Sequence, residues 1–128
     1  MVTTSKLVTD PSVKAILDAA YASISSVTTM PHTTKTSSYT LVLADAGTLV
    51  ETNSASATTI TVPPNSSVAF PIDTVIAFSQ YGSGQLTIAQ GAGVTIRTAS
   101  SLTARTQYSE ISIRKRATDE WIISGDMT

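Results

Sequence analysis

The side chains that most often carry catalysis are sparse in this chain of 128 residues, and their spacing does not group them. The single histidine, His32, follows Pro31 in a Thr-rich stretch, where we expect it to be exposed to solvent. A histidine-based triad would have to use His32, and the Gly-x-Ser-x-Gly elbow that would supply its serine is absent. With one histidine and no cysteine, a multi-His or Cys-ligated metal site within one chain is excluded.

The carboxylates are scattered along the chain. They are Asp10, Asp18, Asp45, Glu51, Asp73, Glu110, Asp119, Glu120 and Asp126. No pair among them is fixed by local spacing at the separation that glycosidases use, and no calcium-loop pattern is present. We interpret most of them as solvated turn residues. The sequence therefore predicts a protein that is not an enzyme and that uses no cofactor.

Two glycine-rich segments, Gly82-Ser83-Gly84 and Gly91-Ala92-Gly93, have the composition of a phosphate loop. Neither is followed by Lys-Ser/Thr and a helix, which a phosphate loop requires. We interpret both as hairpin turns, in which glycine supplies a positive φ.

The densest charge cluster is Arg114-Lys115-Arg116. On a strand, alternation directs Arg114 and Arg116 to one face and Lys115 to the other. Three adjacent cations could contact phosphate or an acidic partner. The interpretation that we favour is that they protect an exposed strand edge from aggregation.

Three aromatic residues, Tyr81, Tyr108 and Trp121, could form a platform on which a sugar stacks. Aromatic residues make up only 5% of the chain, however, and Trp121 stands beside Ile122 and Ile123. This context favours a core or subunit-interface position for Trp121. We keep a host glycan as the alternative ligand, with a sugar platform that includes Tyr81 and Tyr108.

The amino-acid composition indicates which type of secondary structure positions these side chains. The chain contains 22 Thr and 18 Ser, whereas charged residues make up 13%. Because Thr is β-branched and fits a half-exposed pleated surface, this composition indicates strands with a neutral polar outer face. The formal net charge of −1 offers no basic field for a phosphate backbone, so we expect no nucleic-acid partner. No apolar run approaches the ~20 residues that span a bilayer, so we expect no membrane partner.

Residues 1–38 are predicted to form an N-terminal helix followed by an extended arm. Asp10 can be the N-cap, and Pro11 occupies the first helical position, where its missing N–H has no cost. One face of the helix carries apolar residues at helical spacing, and we expect this face to attach the protein to a partner. The residues of this face are Val13, Ile16, Leu17, Ala20 and Ile24. The alternative is that the helix packs on the protein's own β module.

Residues 39–128 read as short strands separated by turn signals. The expected strands are 39–43, 48–51, 59–62, 74–80, 85–89, 93–97, 108–116 and 120–124. Regular short strands with no helix-length segment between them predict a mainly β fold, a small antiparallel β-sandwich or barrel. The sequence contains no internal repeat of fixed period.

Parts of residues 39–128 resemble a β-rich domain of tailed-phage virion surface proteins, the head decoration (cement) or fibre-type proteins. The similar segments are residues 41–55, 59–66, 70–72, 80–85 and 121–126, and the resemblance extends over about residues 39–128. It implies a surface position on the virion and self-association as a homotrimer. It supplies no catalytic residues.

Only about 38 residues precede the similar region, which is short for the shaft of a fibre protein. We therefore expect a capsid decoration protein in which residues 1–38 dock on the major capsid protein while the β module, residues 39–128, faces solvent. The alternative is a tail fibre or receptor-binding module that recognises host glycans.

Overall fold

Residues 11–16, 18 and 29–128 are described in the computed structural model, and the chain divides into two units, Met1–Met30 and Pro31–Thr128. In the first unit, residues 11–16 and 18 are helical, which confirms the predicted helix over this range. Lys14 and Asp18 form an exposed ion pair of 2.8 Å one turn apart. No described helix has the length and apolar character that crossing a membrane would require.

The second unit consists of nine strands and one 3-10 turn, Leu43–Asp45. The strands are β1 His32–Lys35, β2 Tyr39–Thr40, β3 Leu49–Thr52, β4 Thr58–Val62, β5 Val75–Gln80, β6 Leu86–Gln90, β7 Thr95–Arg97, β8 Glu110–Ala117 and β9 Glu120–Gly125. The predicted mainly β fold is confirmed. This unit begins at Pro31, so β1 belongs to it although composition placed those residues in the arm.

From β1 to β7, successive strands alternate between two sheets. The large sheet has the order β1-β3-β5-β8-β9-β7, and the small sheet has the order β2-β4-β6. Within each sheet the first three strands are parallel neighbours, so the chain from β1 to β6 winds as a coil of three turns. The large sheet is then extended by the antiparallel hairpin β8–β9, and β7 pairs in parallel with the far side of β9.

The expectation of antiparallel pairing is wrong for most of this unit, because five of the seven pairings between described strands are parallel. A parallel pair needs a crossover of about a dozen residues or more, which is usually a helix. Here the crossover between two strands of the large sheet is a strand of the small sheet with its two turns. Neither sheet closes on itself, and a sandwich or barrel is not confirmed.

One apolar core lies between the two sheets, because most strands from β3 onward bury alternate residues, as β4 and β8 do. The small sheet contributes Ile60, Val62, Leu86 and Ile88. The large sheet contributes Val50, Ile76, Phe78, Ile111, Ile113, Trp121 and Ile123. The ring of Trp121 meets that of Phe70 edge to face, with centroids 5.6 Å apart, which adds about 0.5–1.5 kcal/mol beyond burial.

A long turn, residues 63–74, connects β4 to β5 and is held by the β8–β9 hairpin. The Lys115 ammonium donates to the Asn65 side-chain oxygen at 2.6 Å and to the Phe70 carbonyl at 2.7 Å. Asn65 N–H donates to the Asp119 carboxylate at 2.6 Å. Lys115 is 2% exposed, so these two oxygens satisfy a buried ammonium, which is costly to leave unpaired.

The turn after β5 stacks directly on the turn after β3. Gly82 N–H donates to the Thr52 carbonyl at 3.0 Å, and Gly84 N–H donates to the Ser54 carbonyl at 2.8 Å. A Cβ at Gly82 or Gly84 would overlap backbone atoms of Ser54 or Ser56. The interpretation of both glycine segments as hairpin turns is wrong, because each segment connects strands of different sheets. Of their glycines, Gly93 has the expected positive φ, at +76°, and Gly82 and Gly84 do not. These two glycines are required for close approach of one coil turn to the next.

We expect Gly84→Ala to lower the free energy of unfolding by an amount at the upper end of roughly 1–3 kcal/mol, because the added methyl group must displace backbone. Chemical denaturation followed by circular dichroism measures the change. The control is Gly93→Asn, where the added Cβ meets nothing within 4 Å and asparagine tolerates the positive φ, so the loss should stay below about 1 kcal/mol. Equal losses in the two variants would show that turn stacking does not constrain residue 84.

Candidate recognition surface

The residues considered for catalysis are not assembled by the fold. His32 is exposed on β1, as expected. The part of the chain that the structure describes contains no group of three or more His, Cys, Asp or Glu residues that could hold a metal ion. Asp45 is buried, but it has a structural role, because its carboxylate accepts from Tyr39 Oη at 2.9 Å and from Val42 N–H at 2.8 Å. Burial and the bond to Asp45 raise the pKa of Tyr39.

The cluster Arg114-Lys115-Arg116 does not protect a sheet edge. It lies on β8, which is paired on both sides, with β5 and with β9. Alternation does separate the side chains as predicted, since Arg114 and Arg116 are exposed and Lys115 is buried. Arg114 pairs with Asp73 at 3.0 Å and Arg116 with Glu120 at 2.7 Å. The cluster is therefore divided between two surface ion pairs and one core contact.

The three predicted platform aromatics separate into one core residue and one exposed pair. Trp121 is 1% exposed and lies in the core, as its neighbours indicated. Tyr81 and Tyr108 are 51% and 67% exposed, and their rings are 5.8 Å apart at an angle of 66°. The pairing of β5 with β8 places the two rings together, because Tyr81 directly follows β5 and Tyr108 lies just before β8.

Tyr108 has a backbone conformation that is unusual for a large side chain, with φ of 70°. Its N–H donates to the Gln80 carbonyl at 2.6 Å, and the Gln107 amide donates to the Tyr81 carbonyl at 3.0 Å. A bulky residue in the left-handed region costs on the order of 1–3 kcal/mol and persists only where its surroundings hold it. These hydrogen bonds join the Tyr108 loop to the Tyr81 turn.

Asp126 organises the loop that carries Tyr108. Its carboxylate accepts two bonds from the Arg105 guanidinium, at 2.7 and 2.9 Å, and one from Ser109 Oγ at 2.8 Å. Ser109 Oγ in turn accepts from Thr106 N–H at 3.1 Å. The hydrogen bonds from Arg105, and to a smaller extent from Ser109, lower the pKa of Asp126. The hydrogen bonds to Asp126 raise the pKa of Arg105.

Sequence reasoning grouped Tyr81 with Tyr108 but missed the residues that support them, Gln80, Gln107 and Asp126. These residues are separated from their most distant partners by up to 28 positions, as Gln80 is from Tyr108, and no local motif relates them. Their contacts depend on the register of β8 against β5 and β9, which the sequence pattern did not supply.

The predicted attachment face lies only partly within the described residues. Val13 is half-buried, and Ile16 is 69% exposed. Leu17, Ala20 and Ile24 lie outside the described residues. The described portion thus contains one apolar side chain that is largely exposed to solvent.

A second apolar surface, here named the apolar turn edge, consists of Val42, Leu43, Ile72 and Val75, all of which are exposed. The first two residues lie in the turn before β3, and the other two lie at the start of β5 and in the turn before it. The two turns are adjacent, because Gly47 N–H donates to the Val75 carbonyl at 2.9 Å.

No protein-family model matches this sequence, and no curated protein matches it at a significant level.

We expect Asp126→Asn to lower the melting temperature at neutral pH and to make it less sensitive to acid. A carboxyl group whose pKa is lowered by folding stabilises the protein above its ordinary value of 3.8, and this contribution is lost as the pH falls through the lowered value. The difference in melting temperature between wild type and variant should therefore be constant near pH 7 and shrink below about pH 4.

The matched control is Asp73→Asn, which removes an ion pair to Arg114 at a side chain that is 73% exposed. Exposed pairs contribute at most about 1 kcal/mol, so this variant should melt close to the wild-type temperature. A difference for Asp126→Asn that persists unchanged to about pH 2 would contradict the prediction.

Proposed function

We propose that this protein is a structural protein of a tailed-phage virion, a capsid decoration (cement) protein bound to the outside of the head. The resemblance of residues 39–128 to phage surface domains supports this proposal. The observation that carries it is the division of the chain at Met30 into a helix-containing unit and a β unit with its own core. Such a chain can use one unit to attach and the other to be displayed.

Attachment to the major capsid protein is assigned to the helix face of Val13, Ile16, Leu17, Ala20 and Ile24. Ile16 supports this assignment, because a large apolar side chain at 69% exposure gains by being covered. Full burial of one isoleucine contributes roughly 1.5–3 kcal/mol, although association entropy offsets part of the total. Many copies on one lattice, or several copies in one oligomer, raise the overall avidity of such weak contacts.

Self-association, as a homotrimer, is the second part of the proposal. The number of subunits is taken from the resemblance to phage surface domains. The apolar turn edge is a candidate surface for the contact between subunits. Three of its four exposed apolar side chains lie on two adjacent turns and the fourth, Val75, begins β5; exposed apolar patches often mark contacts between proteins. The proposed location of the protein is therefore the virion.

The alternative function is a tail fibre or receptor-binding module that recognises host glycans. The exposed pair of Tyr81 and Tyr108 is the specific observation that favours it. The two functions differ in the number of copies per particle. Quantitative mass spectrometry of purified virions distinguishes them, because hundreds of copies indicate head decoration and a handful indicate a tail position.

We expect Ile16→Asp to reduce occupancy on purified undecorated heads of the encoding phage, with an affinity loss of about tenfold or more, since 1.4 kcal/mol corresponds to a factor of ten. Sedimentation of heads with the full-length protein measures the bound fraction. The matched control on the same helix is Lys14→Ala, which removes only an exposed ion pair and should bind as wild type. Wild-type occupancy of Ile16→Asp would show that this helix face is not the anchor.

We expect Leu43→Asp to convert the free protein to monomer at micromolar concentration, because a carboxylate at the apolar turn edge would have to be desolvated in a subunit contact. Light scattering coupled to size-exclusion chromatography measures the mass. Ser83→Asp, at an exposed position of the turn after β5, is the control and should retain the wild-type mass. A wild-type mass that is already monomeric contradicts the trimer, and an unchanged oligomer in Leu43→Asp removes the apolar turn edge as its interface.

A further inference from the structure

Tyr81 and Tyr108 are the only exposed aromatic side chains among the residues that the structure describes. The other described aromatics, Tyr39, Phe70, Phe78 and Trp121, are half-buried or buried. The two exposed rings are in contact at an angle of 66°, so they present two inclined faces rather than one flat surface. Neither ring is needed to complete the core, which lies between the sheets.

The position of Tyr108 is maintained against a backbone preference. Asp73 and Asp119 also have positive φ, at 70° and 55°, but aspartate enters this region several-fold more often than most residues. Tyrosine has no such tolerance, and asparagine or glycine at position 108 would relieve the strain. Backbone strain of this kind concentrates at sites that bind ligands, because the strain serves to position a side chain.

The two segments that carry Tyr81 and Tyr108 are each held by hydrogen bonds from neighbouring side chains. The buried Gln80 side chain closes the Tyr81 turn, since its oxygen accepts from Leu86 N–H at 3.0 Å and its amide donates to the Gly82 carbonyl at 3.3 Å. The Tyr108 loop is tied by the Asp126 carboxylate to Arg105 and Ser109. Preorganised groups of this kind lose little entropy when a ligand binds.

The surroundings of the pair are polar, and the charged side chains close to it in sequence are Arg105 and Glu110, of which Glu110 is an exposed carboxylate that disfavours an anionic ligand. The adjoining turn offers exposed Ser83 and Gln85, and the turn beneath it offers exposed Asn53. The nearby cation, Arg105, is neutralised by its two bonds to Asp126. Such a surface suits an uncharged ligand that has one apolar face and several hydroxyl groups.

From this arrangement we infer that Tyr81 and Tyr108 form a binding site for a neutral sugar, with a pyranose face packed on one ring and the inclined second ring against the edge of the sugar. The C–H bonds of the hexose contact the rings, while its hydroxyl groups reach the neighbouring amide and hydroxyl side chains. Tyrosine suits this role because it combines a large apolar ring with a polar end. The inference uses residues of the β unit alone and does not depend on how the protein is attached to a particle.

The size and chemistry of the surface favour a sugar over a protein partner. A stable protein interface buries about 800 Å² on each side, and two side chains supply only part of that area. The apolar turn edge lies on the turn that leads into β3 and at the start of β5, whereas Tyr81 lies on the turn that leaves β5. A second copy of the chain docked on the aromatic pair is therefore treated as a competing outcome of the test.

The test is saturation-transfer-difference NMR on the free full-length protein, with glucose, galactose, mannose and N-acetylglucosamine as separate probes and sialic acid as the anionic comparison. We expect transfer to at least one neutral sugar, with a dissociation constant of about 1 mM, and a smaller effect with sialic acid. Tyr81→Ser and Tyr108→Asn should each weaken binding at least tenfold. Tyr81→Phe and Tyr108→Phe should retain it, since the ring faces remain.

Thermal unfolding of the same variants separates binding from folding. Tyr108→Asn should melt near the wild-type temperature, because asparagine accepts the positive φ that tyrosine resists. Absence of transfer to all four neutral sugars overturns the inference, and so does binding that survives both Tyr81→Ser and Tyr108→Asn. Self-association that is lost in these two variants, without sugar binding, would assign the pair to a contact between copies instead. Because no capsid is present, failure here leaves the proposed attachment to be decided by its own experiment.

Discussion

Neighbouring strands of a sheet lie about 4.7–4.9 Å apart, and in the β unit the same spacing is imposed on the turns between strands. The turn after β5 stacks on the turn after β3, so its residues must be small on the facing side. Gly82 and Gly84 satisfy this condition against Ser54 and Ser56. The coil can therefore present large side chains only where they point away from the stack, as Tyr81 does.

A parallel coil must also end, and its last strands expose unpaired backbone that invites further pairing. In the large sheet the edge strands are β1 and β7, and they are short and contain Lys35 and Arg97, which are typical of protected edges. The cations of residues 114–116 have a different task, since β8 is interior. Its buried Lys115 ties the long turn 63–74 to the hairpin that completes the sheet.

The sequence predicted much of the strand content and little of the pairing. Alternation located β4, β6, β8 and β9 to within two residues, because burial of one face depends on neighbours in sequence. The same alternation serves parallel and antiparallel strands, so it could not show that strands of the small sheet act as crossovers for the large one. For the candidate sites, the exposed His32 and the buried Trp121 could be predicted from their neighbours. Gln80, Gln107 and Asp126 could not, because their partners are set by strand register.

The change from parallel coil to antiparallel hairpin explains why the aromatic pair forms where it does. Where the turn after β5 stacks on the turn after β3, the close approach leaves no space for a Cβ at Gly82 or Gly84. At β8 the chain direction reverses, and the loop before β8 meets the turn after β5 from the opposite direction. This loop is free of the stacking constraint, so it can hold Tyr108 at positive φ beside Tyr81. The two exposed tyrosines thus meet at the junction between the parallel coil and the antiparallel hairpin, which is where we propose the sugar site.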